Sequence, residues 1–250
     1  MNPAVKLSGK TVLVTGAARR IGAAIARAMH AAGANVVIHH RASAPEAAAL
    51  ARDLNQVRSN SAVTLHADLS HLDSIPRVIE QTVSRFGRLD VLINNASSFY
   101  ATPVGEITLS QWDDLIGSNL RAPLFLSQAA APELKRNEGL ILNLVDIHAL
   151  RPLRHHTVYS VSKAGLATLT RSLARELAPE IRVNGIAPGP VLWPDADLEP
   201  EAKQEIMERT ALKRMGTPDD VARAAVFFAQ DAPYVTGQIL AVDGGRSVGW

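Results

Sequence analysis

No cysteine occurs among the 250 residues, which excludes disulfides, thiolate metal centres and cysteine nucleophiles together. No apolar run approaches the roughly 20 residues needed to cross a bilayer, so no membrane partner is expected. The apolar segment in MNPAVKLSGKTVLV is short and β-branched and is not followed by a small-residue cleavage site; no targeting signal is read there, and a cytoplasmic location is expected. Repeats, low-complexity stretches and linkers are absent, so residues 1–250 are read as one domain. A net charge of +2, with basic residues spread along the chain, gives no footing for a nucleic-acid partner. Acidic residues are missing locally: none falls between Met1 and Pro45, where Lys6, Lys10, Arg19, Arg20, Arg27 and Arg41 all lie. That asymmetry needs a cause.

What the chain does have, with 47% hydrophobic residues, is material for a substantial core, arranged in alternation. Short, mostly β-branched apolar runs at Thr11–Val14, Asn35–His39, Ala62–His66, Val91–Asn94, Leu140–Val145, Arg182–Ala187 and Gln238–Val242 read as buried strands. Between them, helical spacing covers Ile21–Ala32, Pro45–Gln56, Leu72–Phe86, Leu109–Leu126 with a break at Pro123, Val158–Leu177 and Pro218–Ala229. Strand and helix repeated in this way imply parallel strands joined by right-handed crossovers, hence an α/β doubly wound sheet, mostly parallel and seven-stranded, with helices on both faces. The least regular stretch is Gly189–Gln204, with three prolines and Trp193. A loop there, over about 189–210, is placed to close over a substrate beyond the carboxyl ends of the strands. Trp193 is read as a packing residue in preference to a substrate contact.

The stretch VTGAARRIGAAIARAM, Val14–Met29, runs from a strand through glycines into an alanine-rich helix. Gly16 ends the strand and Gly22 opens the helix, which aims unpaired N–H groups and the positive end of the helix dipole at a bound phosphate. Arg20 occupies the place where such turns usually carry their middle glycine. The second strand ends in VVIHHRAS, with Arg41 and Ser43 and no acid to hold ribose hydroxyls. A 2′-phosphate suits that end, so NADPH is the expected cofactor.

Tyr159 and Lys163, four apart in YSVSK, share one helix face. An ammonium beside a phenol favours the phenolate and is expected to lower its pKa toward useful general-acid strength. Asn95 after the fourth strand, Asn119 on the helix that follows and Asp146 at the end of the fifth strand are further candidates for the same site. The adjacent pairs His39–His40 and His155–His156 lack the spacing of metal ligands, and no metal is proposed.

Taken in order, TGAARRIG, ADLS, INNA, Asn119, YSVSK, IRVNGIAPGPV and YVTGQILAVDGG resemble the landmarks of the short-chain dehydrogenase/reductase family over essentially the whole chain. The resemblance implies a Rossmann-type fold, catalytic Asn119, Tyr159 and Lys163, Asp68 near the adenine, and a homotetramer. For the dinucleotide it implies a site built from Gly16, Arg19, Arg20, Ile21, Gly22, His40, Arg41, Ser43, Asp68, Leu69, Asn95, Ala96, Ser97, Tyr159, Lys163, Pro188 and Gly189.

Where most of that family carries a serine at the end of the fifth strand, this chain has Asp146. A carboxylate cannot donate to a carbonyl oxygen and repels a developing oxyanion; beside a tyrosine it suits protonation of a C=N nitrogen instead. Together with Arg20 and NNASSFYATP, Asp146 resembles the pteridine reductase branch. That likeness implies a pterin pocket of Arg20, Ser97, Phe99, Asp146 and Tyr159, in which Phe99 and the nicotinamide sandwich the ring and Arg20 spans pyrophosphate and substrate. Asp146 then joins the catalytic residues, and a dihydropterin, with dihydrofolate as a second candidate, is the small-molecule partner. The branch often reads His-Arg-Ser where this chain has HHRAS, so which side chain meets the 2′-phosphate stays open. Two other readings stand beside this one. LKRMGTPDDVA also resembles 3-oxoacyl thioester reductases, and a non-catalytic NADPH-binding sensor is the alternative outside enzymes.

Overall fold

In the computed structural model, residues 6–192 and 199–248 are described. The expectations for Trp193 and the middle of the 189–210 loop lie outside the described residues. Seven strands form one sheet: β1 (Thr11–Val14), β2 (Asn35–His40), β3 (Ala62–His66), β4 (Val91–Asn94), β5 (Leu140–Leu144), β6 (Arg182–Pro188) and β7 (Ile239–Val242). Their order is β3-β2-β1-β4-β5-β6-β7, and every neighbouring pair is parallel. The expected strands are all present, each boundary within one residue.

Alternation along each strand builds two cores. Val12, Val14, Val36, Ile38 and Ile93 face one side, where they meet α1 (Arg20–Ala31), α2 (Ala44–Val57) and α8 (Pro218–Gln230) through Ile25, Met29, Leu50, Val221 and Phe228. Leu13, Val37, Leu92 and Ile141 face the other, against α3 (Ser74–Phe86) and α5 (Ala122–Arg136) through Ile75, Val78, Leu126 and Leu134. Burial on both faces is why these strands read as continuous apolar runs and not as alternating ones. The order reverses between β2-β1 and β1-β4, so the crevice for a ligand lies beyond the carboxyl ends of those strands.

Two expectations are corrected. The helix expected at Leu109–Leu126 is α4 (Leu109–Ile116), a π-helical turn (Gly117–Arg121) and α5, which runs on to Arg136. The irregularity precedes Pro123, because the wider turn absorbs the missing N–H and the ring clash. Pro132 does not end α5 either: Ala130 and Leu134 on either side of it are fully buried, and that packing outweighs the propensity. The stretch read as irregular through Gln204 contains α7 (Pro200–Glu208), opened by Pro200 at its start and Glu201 in its first turn. Both favour a helix start. The remaining long helix is α6 (Thr157–Glu176).

The acid-free amino-terminal segment acquires partners from later in the chain. Lys6 pairs with Asp231, Lys10 with Asp90 (3.0 Å), Arg19 with Glu46 (4.0 Å) and Arg27 with Asp53 (2.9 Å). Four of the six cations are therefore accounted for by ion pairing within the fold. Asp90 is the buried member, 3% exposed; it accepts from Arg88 Nε (2.8 Å), Arg88 Nη2 (2.6 Å) and the Thr11 N–H (2.9 Å). Burial opposes its charge, but these bonds prevail and hold the carboxyl below its usual range. Asp90→Ala is expected to destabilise the fold by about 2 kcal/mol in urea unfolding, since two cations and an N–H lose their acceptor while both cations keep access to water. Because the folded-state pKa is depressed, the contribution is present at neutral pH and is lost as the pH falls through the folded-state value.

Candidate active site

The glycine turn between β1 and α1 is held from three sides. Asn95 Nδ2 donates to Thr15 O (2.8 Å) and Gly16 O (3.0 Å), while Thr15 Oγ1 accepts from the N–H groups of Asn95 (2.9 Å) and Ala96 (3.0 Å). His39 completes the clamp: its Nδ1 accepts from Gly16 N–H (3.2 Å) and its Nε2 faces Ala67 O (3.2 Å). Burial drives the His39 pKa down to about 4, so the ring is neutral and can accept. The turn admits no Cβ at its two glycines. At Gly16 one would stand 2.9 Å from Ala96 Cα, and at Gly22 2.4 Å from Gly16 O.

The N-cap residue Arg19 makes no side-chain cap, and no acid lies in the first turn of α1. Helix N–H groups without a side-chain acceptor, above a tightly packed glycine turn, fit a dinucleotide pyrophosphate. The reduced nicotinamide of such a dinucleotide, when bound, would supply a hydride.

Arg20 holds φ at +54°, the left-handed region that favours glycine. The turn has thus kept the glycine conformation while giving up the glycine, at a strain of about 1 kcal/mol. Arg20→Gly is expected to keep or raise stability by up to about 1 kcal/mol, yet to raise KM for the nicotinamide cofactor about tenfold by removing the guanidinium. Thermal melting and steady-state kinetics on the same preparation check both halves.

Farther along the crevice, Arg41 is exposed and lies near enough to Asp68 to help keep its carboxyl ionised. Burial works against the Asp68 charge, and bonds from Ser70 with the charges of Arg41 and His71 overcome it. Ser43 precedes α2 without capping it. Leu69 is buried in the second core, and Ile21 packs on the first. Gly189 follows Pro188 at the end of β6; a Cβ there would meet Asp243 Cβ at 2.6 Å.

The catalytic candidates meet where β5 ends and α6 begins. Tyr159 Oη donates to Asp146 Oδ2 at 2.8 Å, and Asp146 Oδ1 accepts from His148 N–H at 2.8 Å, capping a 3-10 turn at Ile147–Ala149. Lys163 is buried, donates to Leu144 O at 2.8 Å and sits 5.8 Å from the Tyr159 ring centre. Burial lowers the Lys163 pKa to about 8 although Asp146 opposes that shift. For Tyr159 the expected direction is reversed: burial, then the Asp146 charge and hydrogen bond, raise the phenol well above its usual value. Asp146 touches the hydroxyl directly, whereas the Lys163 ammonium is turned to a backbone carbonyl. The free protein therefore holds a neutral phenol on a carboxylate.

Phe99, 47% exposed, stands edge-on to Tyr159 with ring centres 4.8 Å apart and lies stacked on His156 at 4.8 Å and 16°. The stack was not legible in sequence, because two separate loops form it. Thr102 straps them together: its N–H donates to His155 O (2.6 Å), its Oγ1 accepts from Val158 N–H (3.2 Å), and it bridges to His156.

Asn119, on the π-helical turn, is buried with both ends of its amide engaged. Its Oδ1 accepts from Ser97 Oγ, Ser98 N–H and Ser118 Oγ, each at 2.9 Å; its Nδ2 donates to Ser98 O and Ser162 Oγ, each at 3.0 Å. Ser162 in turn donates to Tyr159 O (2.7 Å). Asn119 thereby joins the loop carrying Phe99 to the helix carrying Tyr159, which is a positioning geometry. Ser162, inside YSVSK, was missed in sequence although it stands three residues from Tyr159. Asp146, Tyr159, Phe99 and Lys163 are thus gathered at one end of the crevice, with Asn119 and Ser97 behind them. Arg20 lies on the turn, and Arg41, Ser43 and Asp68 lie at the opposite end near β2 and β3.

Fold and side chains define the class: a doubly wound dinucleotide-binding protein with a tyrosine–lysine pair at the carboxyl ends of its strands. A family model described as enoyl-(acyl carrier protein) reductase matches residues 16–247. Pteridine reductase 1 of Leishmania tarentolae is 38% identical over an alignment covering 94% of this chain and 96% of its own length. A 3beta-hydroxysteroid dehydrogenase 1 of Eggerthella lenta is 35% identical (97% and 95% covered), and a 3-oxoacyl-(acyl-carrier-protein) reductase of Staphylococcus aureus is 35% identical (94% and 97%). The chain belongs to the short-chain dehydrogenase/reductase family and is an oxidoreductase that uses a nicotinamide cofactor. Among the described residues, no helix is long and apolar enough to cross a membrane.

Proposed function

We propose that the protein is an NADPH-dependent pteridine reductase that reduces a C=N bond of a dihydropterin to give the tetrahydro form. The observation that carries this reading is the 2.8 Å hydrogen bond from Tyr159 Oη to Asp146 Oδ2, with the Phe99 ring edge-on beside it. An acceptor with a carbonyl oxygen is poorly served there, because the carboxylate repels the oxyanion that develops on it. A ring nitrogen that must gain a proton is well served. As Tyr159 Oη gives its proton to that nitrogen, the Asp146 carboxylate takes one up from solvent and passes it to the phenol. The pair acts as one unit, and no dianionic phenolate–carboxylate state arises.

The remaining residues orient and bind. Phe99 offers a flat face, Ser97 and Arg20 offer polar contacts to the ring edge, and Lys163 holds the tyrosine end of the site positive. Asn119 keeps the two halves of the site in register. Arg41, Ser43 and His40 supply a 2′-phosphate end without a competing acid on that strand. A soluble homotetramer of single-domain subunits in the cytoplasm belongs to the same reading.

The similar identity of the thioester reductase keeps one competing reading in view. Oxidation of NADPH with dihydrobiopterin, dihydrofolate and an acetoacetyl thioester separates the two. Turnover of a dihydropterin at least a hundredfold above the thioester in kcat/KM is expected; turnover of the thioester alone would overturn the proposal.

A further inference from the structure

We propose that His40, seated against His66 at the carboxyl ends of β2 and β3, takes up a proton as it reads the 2′-phosphate of the cofactor, so that affinity for NADPH, but not for NADH, falls as the pH rises from 6.5 to 8.5. The inference rests on the NADPH reading above and adds a residue, His66, that sequence reasoning did not place in the site.

The register of the sheet brings the two histidines together: His40 and His66 are direct partners at the carboxyl ends of β2 and β3. Their ring centres lie 5.5 Å apart at 46°. His40 is 94% buried, yet its Nδ1 finds no hydrogen-bond partner, and a buried ring nitrogen left unsatisfied in a ligand crevice marks a place where a ligand completes the structure. His66 is exposed beside it.

The charged groups around the pair are few. On β2, His39 is neutral and engaged with Gly16 and Ala67, and Arg41 follows directly. From the loop after β3 come Asp68, an ionised acid, and His71; from α2, Glu46 is turned to Arg19. Arg41 and Asp68 offset one another, which leaves His40 as the adjustable charge.

In the free protein, burial and the neighbouring His66 lower the His40 pKa, so the ring is uncharged at neutral pH. A phosphate dianion alongside reverses that preference. The bound state then holds a proton the free state does not, and by linkage binding weakens as the pH rises through the bound-state value. The phosphate's own second ionisation near 6 acts in the opposite sense only at lower pH, which sets the window.

The test is a fluorescence titration of the full chain with NADPH and NADH at pH 6.5 and 8.5, paired with calorimetry in two buffers of different ionisation heat. In the wild type, NADPH is expected to bind about tenfold more weakly at pH 8.5, with proton uptake, while NADH changes less than twofold. His40→Gln should cut the NADPH dependence below threefold and abolish the proton uptake. A preference for NADPH that is flat with pH in the wild type, or a tenfold dependence that survives His40→Gln, overturns the role of His40 and leaves the cofactor reading standing. Equal binding of the two cofactors at every pH overturns the cofactor reading and the role of His40 with it.

Discussion

Tyr159→Phe should lower kcat/KM for a dihydropterin by about a thousandfold while leaving NADPH binding within about threefold of the parent. The hydroxyl is the group in the site that both carries a proton and lies against Asp146. Its phenol pKa is raised by burial and by that carboxylate, so at neutral pH the donor is fully protonated. The folded state should survive the change. Phe keeps the ring packed against Phe99, and Asp146 keeps its bond from His148 N–H. Stopped-flow transfer from bound NADPH, with NADPH fluorescence as the binding readout, checks both parts. A loss of activity matched by a loss of cofactor affinity would make Tyr159 a structural residue.

Asp146→Asn is the second large effect, about a hundredfold in kcat/KM for the dihydropterin, because an amide cannot return a proton to the phenol. The variant also carries a signature in pH. Lys163 has its pKa lowered by burial to about 8, with Asp146 pulling the other way. An ammonium needed for activity is present below that value and lost above it, so the parent's kcat/KM should decline above about pH 8. Removing the Asp146 charge leaves burial unopposed and moves that decline to lower pH. The same removal relieves part of the upward pressure on Tyr159. A hundredfold loss with an unmoved basic limb would mean that Asp146 serves only to shape the pocket.

These two side chains show where sequence reading succeeded and where it stopped. The strands were legible because each is buried on both faces and so appears as a β-branched apolar run. Tyr159 and Lys163 were legible as a pair because helical spacing puts them on one face. Their electrostatics were not: the Lys163 ammonium is turned to Leu144 O and the Tyr159 hydroxyl to Asp146, thirteen residues away across the β5–α6 connection. Spacing says nothing about which charge is nearer. Likewise, the cause of the acid-free amino-terminal segment was not legible, because Asp90, Glu46, Asp53 and Asp231, distant in sequence, answer most of it. Arg20 stands where such turns usually carry their middle glycine, and its φ of +54° shows that the turn still demands the glycine conformation. Two stretches were misread in opposite ways: the helix read as ending at Leu126 runs on through Pro132 because burial sustains it, and Pro200 opens a helix in a stretch read as loop.

The central claim is that a flat nitrogen heterocycle is protonated by the Tyr159–Asp146 pair while it lies on Phe99. A crystal structure of the ternary complex with NADP and a dihydropterin tests it most directly. The account predicts the pterin ring between Phe99 and the nicotinamide, with the reacting nitrogen about 3 Å from Tyr159 Oη and Asp146 still bonded to that hydroxyl. A ring bound elsewhere, with the space at Phe99 filled by protein or Asp146 turned away from Tyr159, would contradict it.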